Sequence, residues 1–160
     1  MLQQGGTSKT PEDSVARQRY SLNASVFAVV RQGNRVLSLR RSGTGWLDSH
    51  WSLPAGAHDG QTSLVDSVLR ELIEETGLTA DVSNCRLLHV QQVFNPDGVE
   101  WLGLYFGVDA FTGIPVVAEP EKHDAIEWRD LTEAVDPTVP YVRMALELIA
   151  SGSNFSVYRA

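Results

Sequence analysis

Between Arg70 and Leu78 the chain reads Arg-Glu-Leu-Ile-Glu-Glu-Thr-Gly-Leu, a stretch that carries three carboxylates. At about 100° per residue on a helix, Glu71, Glu74 and Glu75 share an arc of roughly 100°. Glu71 stands three and four positions before the other two, so the side chains are neighbours. Like charges at that spacing repel by roughly a few tenths of a kcal/mol per pair. Converging carboxylates have a use where a hard divalent cation sits among them, because Mg²⁺ takes oxygen ligands. A solvated acidic helix face is the alternative reading of the triad taken alone.

The elements around the triad sharpen this. Val65, Val68, Leu69, Leu72 and Ile73 form an apolar stripe displaced from the glutamates, which is the periodicity of an amphipathic helix. Ser63 with Asp66 reads as a start signal, and Gly77 as a left-handed stop against which Leu78 packs back on Ile73. The spacing predicts a helix over 63–76. Upstream, Trp51-Ser52-Leu53 reads as a short strand, and Pro54 and Gly56 as the opening of a loop. A glycine there lets the backbone come close to something, and its carbonyl could be a further metal ligand. An ordinary strand-to-helix turn would look the same.

These residues resemble the Nudix signature: Gly, five residues, Glu, seven residues, then Arg-Glu-aliphatic-x-Glu-Glu-x-Gly-aliphatic. Gly56, Arg70, Glu71, Leu72, Glu74, Glu75, Gly77 and Leu78 stand at the matching positions without a gap. The preceding Leu53-Pro54-Ala55 also looks like the family, and a looser likeness spans about 22–150. One position departs: Thr62 stands where the signature has its first glutamate. Threonine carries no charge, so the departure implies weaker binding of an additional cation and one partner fewer for Arg70. It bears on catalytic rate rather than on fold.

The resemblance implies roles. Glu74 and Glu75 would ligate Mg²⁺, with Mn²⁺ as a substitute, helped by the Gly56 carbonyl. Glu71 would be a further ligand, or would orient or deprotonate the attacking water. Arg70 would orient the glutamates by ion pairing. A late loop often supplies another acid in this family; Glu119 and Glu121 are the candidates, and Glu121 is favoured. Arg40 and Arg41 end a strand near the expected cleft, where arginine could bind phosphate, though strand ends commonly carry surface charges. Trp46 and Phe94 could stack on a base or be partial core. The activity implied is that of a metal-dependent pyrophosphohydrolase of a nucleoside diphosphate linked to another group, with a nucleoside triphosphate leading. ADP-ribose or nucleotide-sugar hydrolysis, and a low-turnover nucleotide-binding regulatory domain, are the alternatives.

Composition excludes other classes. The 160 residues carry a net charge of −7, which argues against unspecific binding to a nucleic-acid polymer. An anionic small substrate remains compatible, because a metal ion inverts the local field. No run of about 18 apolar residues suggests a membrane span. Cys85 is the one cysteine, and the N-terminus has no basic start or apolar core, so a cytoplasmic protein is expected. His50, His58, His89 and His123 do not pair at ligand spacing, so no zinc site is expected. Neither a Gly-x-Ser-x-Gly elbow nor a phosphate-binding P-loop is present. Homodimers are frequent in the family, so a homodimer is compatible with the reading.

Residues 1–20 read as a flexible arm and 21–160 as a single domain. Ala24–Val30 and Arg35–Arg40 read as a hairpin around Gly33, followed by a glycine-rich loop at Ser42–Trp46. Further strands are expected at 80–82, 86–94, 101–110 and 125–128, a turn or short helix at 130–134, and a closing helix from Pro140 to Ile149. The order fits an α/β fold with a mixed sheet and two main helices, and the resemblance implies a Nudix-type α/β/α sandwich.

Overall fold

Strand β1 (Asn23–Gln32) organises the molecule, because Val26 to Val30 are buried without a break. Side chains alternate along a strand, so such a run must be covered on both faces. Val26, Ala28 and Val30 pack with Val68 and Leu72 of α1 (Leu64–Thr76). Phe27 and Val29 pack on the other face with Val142, Ala145 and Leu146 of α2 (Pro140–Ala150). The result is an α/β/α sandwich with one core on each side of the sheet. The computed structural model describes residues 19–130 and 137–160.

The remaining strands are β2 (Arg35–Arg41), β3 (Trp51–Ser52), β4 (Ala55–Ala57), β5 (Cys85–Phe94), β6 (Glu100–Val108), β7 (His123–Asp130) and β8 (Phe155–Arg159). The path across the sheet is β3-β2-β1-β6-β5-β8, with β4 on β1 and β7 on β2. β1 runs parallel to β6 from Asn23↔Trp101 to Val30↔Val108, whereas β5 and β6 are antiparallel, so the sheet is mixed.

Helix α1 begins and ends where its sequence signals stand. The Ser63 hydroxyl accepts from the Asp66 N–H at 3.0 Å and donates to the Asp66 carboxylate at 2.6 Å. Gly77 takes φ 72° and donates its N–H to the Ile73 carbonyl at 2.9 Å. Ile73 itself is 48% exposed, so it lies off the buried stripe, and Leu78 is buried with Leu72 and Val68 instead.

Several expectations are corrected. β1 and β2 meet only beside their turn, at Arg31↔Val36 and Gln32↔Arg35; β2 then pairs along its length with β7. The loop expected after Pro54 contains β4, whose Gly56 lies opposite Val26. In place of a strand at 80–82, a short 3₁₀ turn runs over Val82–Asn84, with the Asp81 carboxylate accepting from the Ser83 N–H at 2.8 Å. β8 was not anticipated. The turn or short helix expected at 130–134 falls mostly on residues 131–136, outside the described residues, as do 1–18 of the expected arm. Among the described residues no helix is long and apolar enough to cross a membrane.

Candidate active site

The short strand β4 and the second half of α1 face each other closely. A Cβ placed on Gly56 would clash with the carboxylate of Glu71. Glycine is therefore what lets Glu71 lie against the strand backbone, and its side chain is only 12% exposed. Burial raises the Glu71 pKa, opposed by a hydrogen bond from the Arg70 guanidinium at 3.2 Å and reinforced by the charge of Glu74.

Glu75 goes deeper. Its carboxylate accepts from the Ala55 N–H at 2.8 Å. Burial pushes its pKa up to about 8, against the Ala55 hydrogen bond and with the help of the Glu71 and Glu119 charges. The Nε2 of His123 stands 4.0 Å from Glu75 Oε1. Burial, the largest cause, and the nearby Arg41 cation lower the His123 pKa. With Glu75 pushed towards its protonated form and His123 towards its neutral one, this contact is not a working ion pair.

Glu74 is set apart from these two. Its side chain is 50% exposed and lies 3.9 Å from Arg70 Nε. Arg70 also reaches Asp59 at 3.4 Å, so it has three carboxylates around it despite Thr62. The Thr62 hydroxyl instead lies 3.2 Å from that of Ser67, which also contacts His58 Nδ1 at 2.9 Å.

In the late loop the residue brought to the cluster is Glu119, not Glu121. The Lys122 and His123 N–H groups both donate to the Glu119 carbonyl, which curls the loop. Glu75, Glu119 and His123 then offer ligand atoms within 4.8 Å of one another, while Glu121 is exposed outside this set. Lys122 Nζ donates to both Glu119 oxygens at 3.0 Å, and this pairing raises the lysine pKa.

Two adjoining cavities share Arg41, Ala55, Gly56, Ala57, Glu75 and His123. One, of about 360 Å³, adds Glu71, Asp59, Thr44 and Lys122. The other, of about 210 Å³, adds Phe27, Trp101 and Tyr141. The site thus joins an acidic pocket with two cations at its wall to an aromatic pocket. Carboxylates, a backbone strand held close by glycine and a buried imidazole form a donor set that suits a divalent cation.

The other candidates separate. Arg41 lines both cavities; its Nε donates to the Trp46 carbonyl at 3.0 Å and its guanidinium lies 4.9 Å from the Trp46 ring. Trp46 is 49% exposed and stacks on Tyr141 at 6.1 Å, which puts it beside the aromatic pocket. Arg40 lines neither cavity and pairs with Asp124 at 2.7 Å. Phe94 is also away from both, its ring 3.9 Å from the Arg159 guanidinium. Sequence reasoning missed His123, Lys122, Asp59, Trp101 and Tyr141 as site residues. A short-range signal for them is absent, since strand pairing and helix packing bring them in.

Comparison with known proteins agrees with this geometry. The sequence matches the NUDIX domain over residues 20–147. It is 32% identical over 131 residues to the Nudix hydrolase YvcI of Bacillus subtilis, covering 79% of this chain and 78% of that one. It is 26% identical over 136 residues to the phosphatase NudJ of Escherichia coli K12, covering 83% and 86%. The crystal structure of a MutT NUDIX hydrolase from Burkholderia pseudomallei superposes with a TM-score of 0.72 at 28% identity, covering 80% of this chain and 98% of that one.

Proposed function

The chain belongs to the Nudix family, as a hydrolase of pyrophosphate bonds, and from that premise we propose a divalent-cation-dependent pyrophosphohydrolase of nucleoside diphosphate derivatives, with nucleoside triphosphates as substrates. The observation that carries the proposal is the placing of Glu71 against Gly56, and of Glu75 on the Ala55 N–H, in a cavity also lined by Arg41 and Lys122. Carboxylates and cations in one wall suit a phosphate chain that arrives with a divalent ion.

In this reading Glu75 and Glu119, with the Gly56 carbonyl, would hold the ion, while Glu74 stays half exposed beside Arg70. When bound, the ion supplies charge neutralisation at the phosphates and a more acidic water. Arg41 and Lys122 bind phosphate oxygens and orient the chain for in-line attack. Glu71, held by Arg70 and with a pKa raised by burial, accepts the proton of the attacking water. The water oxygen bonds to phosphorus while the bridging P–O bond breaks, and the displaced phosphate oxygen carries away the electron pair. The Trp46–Tyr141 stack and Trp101 form the wall on which a base lies. A cytoplasmic setting fits the single cysteine.

The alternative of a low-turnover binding domain rested on Thr62. It loses support from Asp59, which supplies a carboxylate to Arg70. The test is product analysis by ion-exchange chromatography over a panel of nucleoside triphosphates, ADP-ribose, nucleotide sugars and dinucleoside polyphosphates, with Mg²⁺ and with Mn²⁺. A triphosphate yielding nucleoside monophosphate and pyrophosphate supports the proposal. Tight nucleotide binding with no product from any member of the panel overturns it.

A further inference from the structure

The least explained group in the site is His123. It is 5% exposed, and its Nδ1 is buried with no hydrogen-bond partner among the described residues. Its Nε2 comes no nearer than 4.0 Å to Glu75, beyond hydrogen-bond distance. A buried imidazole ordinarily has its nitrogens satisfied, as His89 does in this same protein. There Nδ1 lies 2.9 Å from the Ser153 carbonyl and Nε2 lies 2.7 Å from the Ser156 hydroxyl. His123 instead stands in a wall of the acidic cavity, with donor atoms of Glu75 and Glu119 within 4.8 Å.

The position of His123 is built rather than incidental. The pairing of β2 with β7 passes from Arg40↔Ala125 to Arg41↔His123, so Asp124 is an extra residue in β7. Such a bulge re-aims the neighbouring side chains. Asp124 turns to Arg40, and His123 is left facing the cavity.

We propose that His123 is a nitrogen ligand in a Glu75–Glu119–His123 metal site, which takes a first-row transition ion, Mn²⁺ or Co²⁺, in preference to Mg²⁺. Mg²⁺ favours oxygen ligands and keeps its waters, whereas first-row transition ions accept an imidazole nitrogen more readily, Co²⁺ more so than Mn²⁺. Two ligands about 2.1 Å from one ion stand at most about 4.2 Å apart, so a small side-chain movement closes the set. Lys122 holds Glu119 before the ion arrives. Coordination of Glu119 displaces that ammonium and leaves it free for phosphate. The inference builds on the metal-site reading of Glu75 and Glu119, but it does not depend on which nucleotide is hydrolysed.

The test is electron spin-echo envelope modulation on the full chain loaded with Mn²⁺, together with competition of Mn²⁺ against Mg²⁺ for the protein without nucleotide. The expected result is ¹⁴N modulation from a directly bound imidazole, lost in His123→Gln and kept in His58→Gln. The Mn²⁺/Mg²⁺ affinity ratio should fall at least about tenfold in His123→Gln. Should that variant fail to fold, His123→Asn repeats the test, and ¹⁵N-histidine labelling shows that the modulation comes from a histidine. Bound Mn²⁺ without nitrogen modulation, or modulation that survives in His123→Gln, overturns the inference while leaving the hydrolase reading intact. Hydrolysis that persists in EDTA with no Mn²⁺ bound overturns both.

Discussion

Gly56 and Glu71 are in close contact: the glycine has no Cβ, and the glutamate carboxylate lies too near to leave room for one. The contact joins β4 to α1 at the position where the cavity floor and the acidic helix meet. Replacing the glycine with alanine forces the carboxylate out of the site. Gly56→Ala is expected to lower kcat by at least about a hundredfold, in line with the cost of misplacing a catalytic group by about 1 Å. The accompanying loss of stability should be small, because the atoms displaced are the far end of a flexible side chain. Steady-state kinetics and thermal melts check both. Near-normal turnover in this variant would mean that Glu71 works from another position.

Glu75 makes stability depend on pH in an unusual direction. Its folded pKa, about 8, lies above the ordinary 4.5, so between those values the folded metal-free protein binds a proton that the unfolded chain releases. Folding stability from this group is therefore present at low pH and is lost as pH rises from about 4.5 to 8, by on the order of a few kcal/mol. Metal-free protein in EDTA should melt lower at pH 8 than at pH 5.5, and Glu75→Gln should flatten that difference. A divalent cation should stabilise wild type more at pH 8, where the proton it displaces is already leaving. A wild-type slope equal to that of Glu75→Gln would remove the buried-carboxyl account.

The neighbouring arginines should separate cleanly. Arg41 lines both cavities, while Arg40 pairs with Asp124 outside them. Arg41→Ala is expected to raise KM for a triphosphate by roughly tenfold or more, the loss of a charge-assisted hydrogen bond to phosphate. Arg40→Ala should leave KM nearly unchanged, any effect appearing in the melting temperature, because the guanidinium also stands 5.7 Å from the buried Trp51 ring. Equal effects of the two substitutions would contradict the assignment of Arg41 to the phosphate.

Asp59 carries part of the task left open by Thr62. It lies 3.4 Å from Arg70 Nη2, and Arg70 in turn holds Glu71 at 3.2 Å. Asp59→Asn is expected to slow turnover by less than about tenfold, because Asp59 is exposed and acts through another residue. Thr62→Glu should raise the rate by less than about threefold, given that Arg70 already has its carboxylates. A large gain in Thr62→Glu, measured at saturating cation, would show that the missing glutamate limits the enzyme.

Local signals were readable where a local cause acts. Helix α1 was expected over 63–76 and runs Leu64–Thr76, because the Ser63 cap and the left-handed Gly77 stop it on physical grounds. The mixed sheet and the two helices followed from the order of apolar runs. Pairing across the sheet did not: nothing near Arg35 announces that β2 leaves β1 for β7. β8 was invisible because its pattern is inverted, with Ser156 buried while Phe155 and Val157 are exposed. Glu71, Glu74 and Glu75 were marked by their spacing together with Gly56 and the residues around them, the triad alone reading equally as a solvated face; Glu71 and Glu75 line the cavity, and Glu74 stays half exposed beside Arg70. Glu119 and Glu121 are two residues apart in one loop, and only the curl made by the Lys122 and His123 N–H groups on the Glu119 carbonyl distinguishes them. His123 reaches the cavity through a bulge in a strand pair, which no spacing of histidines encodes.

The most direct measurement is the rate of pyrophosphate release from the best triphosphate, with Mg²⁺ or Mn²⁺ and then in EDTA, for wild type and Glu75→Gln. The account predicts turnover that requires the cation and falls at least about a hundredfold in a folded Glu75→Gln, the loss expected from removing a principal electrostatic group of the site. Hydrolysis that continues in EDTA, or a Glu75→Gln rate close to that of wild type, would contradict it.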